Sequence, residues 1–177
     1  GLPSPACGSA DTRDGTARTM PSMPMRVAMI SSECEPWAKT GGLADVVDAL
    51  AVAKQAGKAR FLGSIVRGTT DTSGFSGCGL VIEAVFEEIA VKQDVFAALE
   101  EVVSEDCLLV TNTSSLSVTE IAARTRRSDR VIGLHFLQPV PQVPLVEVVR
   151  GLGTSDETFR QAMAFVRLLG KTGIEVF

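Results

Sequence analysis

Apolar residues fall into two arrangements along this chain: short unbroken runs, and longer stretches where they recur at helical spacing. The runs predict buried strands and the spaced stretches predict amphipathic helices. Arg26 to Ser31 (RVAMIS) is the first run. A Gly41-Gly42 pair then opens LADVVDALAVAKQAG, where Leu43, Val46, Val47 and Leu50 mark one helical face. After Gly68 the alternation becomes regular. Gly79 to Val85 (GLVIEAV) is a strand, and Glu87 to Val103 is a helix with an apolar stripe of Val91, Val95, Phe96, Leu99 and Val102. Cys107 to Thr111 is the next strand, Asn112 to Ser115 the loop at its carboxyl end, and Ser117 to Arg124 a short helix. Val131 to His135 is a strand, Phe136 to Pro144 a proline-rich loop, and Leu145 to Arg150 a further strand. Ser155 caps a helix over Asp156 to Gly170 that turns Phe159, Met163 and Val166 inward, with Gly170 as its stop. Ile174 to Phe177 begins a last strand. Such alternation, with strands apolar throughout, predicts an α/β domain with a mostly parallel sheet. Residues 1–24 have no period and are rich in Gly, Ser, Thr, Pro and Ala, so a disordered tail is expected there.

Composition narrows this picture. A chain of 177 residues, 45% hydrophobic, can bury one ordinary globular core. A net charge of -4 gives no electrostatic reason to expect nucleic acid or an anionic membrane as partner. The local basic run of Arg124, Arg126, Arg127 and Arg130, beside Asp129, reads as a solvated helix end. Cys7, Cys34, Cys78 and Cys107 include no close pair, which excludes the usual zinc spacings and a small disulfide framework. No metal is expected. No apolar run approaches the roughly 20 residues of a membrane span, and residues 1–24 contain no hydrophobic signal core. A reducing, cytoplasmic location is expected.

Ligands of parallel α/β sheets sit beyond the carboxyl ends of the strands. Three polar sets fall at that edge: Glu87, the Asn112 to Ser115 loop, and His135. A lone histidine ending an apolar strand is most often structural. Here, however, Glu147 follows twelve residues later on a strand that could return beside it. A carboxylate so placed orients an imidazole and stabilises its protonated form, as a general base requires. Ser114, on a neighbouring strand-end loop, could donate a hydrogen bond to a reacting oxygen.

Three segments carry a resemblance: LVIEAVFEEIAVKQDVFAALE, LLVTNTSSLSVTEIA, and RVIGLHFLQPVPQVPLVEVVRG with TSDETF. Residues 54–177 resemble the NAD-binding domain of the 3-hydroxyacyl-CoA dehydrogenases, in the version found in multifunctional fatty-acid oxidation enzymes. The resemblance implies a doubly wound, Rossmann-like sheet and hydride transfer from C3 of a 3-hydroxyacyl-CoA to NAD. It implies His135 as catalytic base, Glu147 as its paired carboxylate, and Ser114 as the hydroxyl contacting substrate and cofactor. Val85, Phe86, Glu87, Lys92 and Asn112 match cofactor-contacting positions. Gln138 stands where the family has Asn beside the nicotinamide. Without the resemblance, Glu87 and Lys92 read as a helix-start carboxylate and a surface lysine.

Two further departures bear on activity. The family's G-x-G-x-x-G turn is absent, and Gly74, Gly77 and Gly79 precede a strand at the wrong spacing. The family's helical substrate domain would begin beyond Phe177. Impaired dinucleotide binding is therefore expected, together with self-association as a homodimer through the surface that domain would cover. Met25 to Ala51 instead resembles the start of bacterial glycogen and starch synthases, which maps Lys39, Gly41 and Gly42 onto that family's sugar-nucleotide turn. An ADP-glucose-binding fragment and a non-catalytic remnant stand as alternatives.

Overall fold

The continuous apolar runs form strands because both sheet faces are covered. The computed structural model describes residues 26–31 and 72–177. The expected tail and the Lys39 to Gly42 turn with its helix lie outside the described residues. Among the described residues, six strands lie side by side in chain order: β1 (Val27–Ser31), β2 (Leu80–Ala84), β3 (Leu108–Thr111), β4 (Val131–Phe136), β5 (Leu145–Arg150) and β6 (Thr172–Val176). β1 to β4 are parallel, β5 runs antiparallel to β4, and β6 is parallel to β5. The architecture is α/β with a mostly parallel, Rossmann-like sheet. The Gly74 to Gly77 stretch forms a 3-10 turn (Ser73–Gly77) leading into β2.

Alternation within each strand divides the core in two. Leu80, Ile82, Leu108, Val110, Ile132, Leu134, Val146 and Val148 meet Ala162, Phe165 and Val166 of helix α3 (Asp156–Leu168). Val81, Leu109 and Val131 face the opposite way, against Phe96 and Leu99 of α1 (Ile89–Glu100) and Val118 and Ile121 of α2 (Val118–Ala122). Full burial of each such side chain contributes about 1.5–3 kcal/mol. Gly133 and Gly151 let α2 approach β4 and β5. An added Cβ on Gly151 would stand 3.2 Å from the Thr119 backbone nitrogen.

Helix ends follow local chemistry. Ser117 and Ser155 accept hydrogen bonds from the Glu120 and Thr158 amides, as N-caps do. Gly170, at φ +72°, closes α3, with the Lys171 amide donating to Val166 O and the Gly170 amide to Arg167 O.

Two expectations need correcting. α1 presents Lys92, Phe96, Leu99 and Glu100 inward, whereas Val91 is only half-buried. A polar partner on β2 rotates the buried face toward Lys92. The arginine run is not merely a solvated helix end. Arg124 pairs with Asp94 at 2.7 Å, Arg126 with Glu101, and Arg127 with the buried Glu100 at 3.4 Å. The run ties the α2–β4 connection to α1.

Candidate active site

Antiparallel pairing of β4 with β5 makes His135 and Glu147 direct neighbours, since residues opposite each other present side chains to one face. Their Nδ1 and Oε2 lie 2.7 Å apart, and both side chains are half-buried. In the neutral imidazole facing a carboxylate, the Nδ1–H donates a hydrogen bond to Glu147 Oε2. The free lone pair is then on Nε2, the atom with no hydrogen-bond partner among the described residues. The intervening loop contains the cis Gln138–Pro139 bond and is held by Lys171, whose Nζ donates to Val140 O at 2.6 Å and Val143 O at 2.7 Å. Burial pushes the Lys171 ammonium below its ordinary value.

Parallel pairing of β3 with β4 aligns Thr111 with Gly133, so two residues on, the loop after β3 comes level with His135. Asn112 Oδ1 accepts from the Phe136 amide at 3.3 Å, joining that loop to the end of β4. Glu87 follows β2 and clasps the same loop. Its Oε1 accepts from the Thr113 hydroxyl and from the Ser114 amide at 3.0 Å, and its Oε2 meets Lys92 Nζ at 3.1 Å. Partial burial raises the Glu87 pKa, but hydrogen bonds from Thr113, Lys92 and Ser114 outweigh it, and the carboxyl sits below its ordinary value.

The expected site residues thus form two joined groups. His135 and Glu147 are one; Glu87, Lys92, Asn112 and Ser114 are the other. Ser114 is exposed and is tied to Glu87 through its backbone. Val85 donates its amide to Glu83, while Phe86 is 66% exposed and Gln138 is also exposed. Lys92 is no surface lysine, being 1% exposed. Two residues that the sequence did not single out, Glu83 and Thr111, join these groups, and Thr113 of the expected loop contributes its hydroxyl to Glu87. Their signal was a glutamate within the apolar run LVIEAV, because a charge on a buried strand requires a partner.

At the strand ends, the exposed Phe86 ring offers an apolar face and the part-exposed Glu87 carboxylate offers an acceptor suited to ribose hydroxyls. These two groups suit a ligand that carries a flat ring and a sugar. The turn after β1, where pyrophosphate sits in such sheets, lies outside the described residues. A mostly parallel α/β sheet with polar groups gathered beyond its strand ends has the architecture of a nucleotide-binding domain.

The family model for the 3-hydroxyacyl-CoA dehydrogenase NAD binding domain matches residues 25–177. A probable 3-hydroxybutyryl-CoA dehydrogenase of Bacillus subtilis is 50% identical over 97 residues, covering 55% of this chain and 34% of that protein. The fatty acid oxidation complex subunit alpha of Idiomarina loihiensis is 44% identical over 112 residues, covering 63% of this chain and 16% of that protein. The crystal structure of (S)-3-hydroxybutyryl-CoA dehydrogenase from Ralstonia eutropha aligns with a TM-score of 0.65 at 36% identity, over 75% of this chain and 48% of that one. The chain belongs to the 3-hydroxyacyl-CoA dehydrogenase family, whose NAD-binding domain it represents. It spans less than half the length of each of these relatives.

Proposed function

We propose that this chain provides the cofactor-binding and proton-abstracting part of a 3-hydroxyacyl-CoA dehydrogenase, acting on acyl-CoA thioesters. The 2.7 Å His135–Glu147 pair beside the β2 and β3 strand ends carries the reading. As the C3–H bond of the substrate breaks, the hydroxyl proton passes to His135 Nε2 and the C3–O bond becomes a carbonyl. NAD, when bound, supplies the acceptor for the hydride. Glu147 fixes the tautomer through Nδ1 and stabilises the imidazolium that results. Ser114 offers its hydroxyl to the reacting oxygen. Glu87, Phe86, Val85, Asn112 and Lys92 form the edge that receives the nicotinamide and its ribose, and Gln138 lies in the loop beside it.

Calorimetric titration with NADH is the first test: binding should be weak, because the G-x-G-x-x-G turn is absent, and its heat should vanish in Glu87→Ala. A purified chain giving no heat at millimolar NADH would refute cofactor binding by this chain. Coupled to it, NADH-dependent reduction of acetoacetyl-CoA should fall roughly 10²–10⁴-fold in His135→Gln. Equal rates in both proteins would remove His135 from the chemistry. No helix among the described residues is long and apolar enough to cross a membrane. The free thiols of Cys78 and Cys107 support a cytoplasmic location.

A further inference from the structure

At the heart of the edge just described is a residue that hydride transfer leaves unused. Glu83 lies inside β2 with its side chain fully buried. Its Oε1 accepts from Lys92 Nζ at 2.8 Å and from the Val85 amide at 2.7 Å, and its Oε2 accepts from the Thr111 hydroxyl at 2.8 Å. Its backbone carbonyl accepts from the Asn112 amide at 2.9 Å. Lys92 uses its remaining N–H groups on Glu87 Oε2 at 3.1 Å and Val85 O at 3.4 Å. The Thr113 amide donates to the Thr111 hydroxyl at 3.3 Å, and the Thr113 hydroxyl donates to Glu87. Glu83, Lys92, Glu87, Thr113 and Thr111 therefore close a ring across β2, α1 and β3.

A buried ion pair adds little net stability, because desolvation offsets much of its attraction and apolar side chains of equal volume often serve as well. A fully satisfied ring does, however, fix one geometry, since every alternative leaves a buried charge unpaired. We infer that Glu83 is a positioning residue for the cofactor edge. Through Lys92 and Thr111 it holds the Glu87 carboxylate and the Asn112 to Ser115 loop in the arrangement that receives the nicotinamide ribose. This rests on the cofactor reading above.

Residue-resolved hydrogen exchange and NADH titration, on the wild type, Glu83→Gln, Thr111→Val and Thr111→Ser, test it together. In Glu83→Gln the Val85 and Ser114 amides should exchange roughly tenfold faster or more, with α3 and β5 amides unchanged. NADH affinity should fall by a similar factor. Thr111→Val should repeat this pattern and Thr111→Ser, which keeps the hydroxyl, should restore it. The threonine pair decides the matter if Glu83→Gln does not fold. Unchanged Ser114 exchange, a uniform rise across the domain, or local loosening with unaltered NADH affinity would each overturn the inference. A wild-type chain that never binds NADH refutes the cofactor reading and, with it, the ligand assigned to this edge. The amide pattern then still decides whether Glu83 holds Glu87 in place.

Discussion

At the scale of single residues, ionisable groups behave according to what touches them. Hydrogen bonds from Thr113, Lys92 and Ser114 hold the Glu87 carboxyl below its ordinary value. A carboxyl whose folded pKa lies below its unfolded value stabilises the fold at all pH above the unfolded value. That contribution disappears as acid takes the pH down through the folded value. Wild type should therefore melt above Glu87→Gln at neutral pH, and the gap should close on acidification below the ordinary carboxylate range. A gap independent of pH would show that the clasp does not depend on charge. Cys107 provides the opposite case, since burial pushes its thiol up to about 11. A colourimetric thiol reagent should leave it unmodified in the native protein and react quickly after denaturation. The contact between His135 and Glu147 was open to inference at this scale because a proline-rich loop between two strand-like runs permits a return. That Glu83 and Lys92 pair was not, because α1 and β2 had first to be packed against each other.

At the scale of elements, what the chain makes legible is existence and type. β5 occupies the expected residues, while α1 begins two residues later and ends three earlier than the pattern predicted. Past its last residue, the Val102 and Val103 amides both donate to Leu99 O and close the helix in a final turn. The expected stripe packs inward at Val95, Phe96, Leu99 and Val102, but hydrophobicity alone cannot foresee the buried Lys92, whose partner lies on another element. Close approach of α2 to the sheet depends on Gly133 and Gly151, and at Gly151 the obstructing atoms belong to the helix backbone, which yields poorly. Gly151→Ala should accordingly cost about 1–3 kcal/mol in chemical denaturation, with the unfolding slope unchanged. No measurable loss would mean that α2 shifts freely.

At the scale of the whole molecule, the sheet has one edge at β6, where Ile174 is 44% exposed, Phe177 91% and Leu168, on nearby α3, 68%. Open strand edges beside apolar side chains promote pairing between chains. Sedimentation velocity should show concentration-dependent self-association that Ile174→Lys weakens; a monomer at all concentrations would dismiss that surface as an interface. The sequence by itself determined the order of the described strands and helices and the mostly parallel α/β class, which depend on local periodicity that the linear chain carries. The family came from the resemblance of whole segments, and the histidine–carboxylate pair from residue types at fixed spacing. Only the tertiary structure decided that β5 turns antiparallel to set Glu147 against His135. It likewise decided that the arginines brace α1 and that Glu83 ties three elements into one polar ring. Those outcomes depend on which surfaces meet and on every buried charge finding a partner across them, and neither is a property of any one segment.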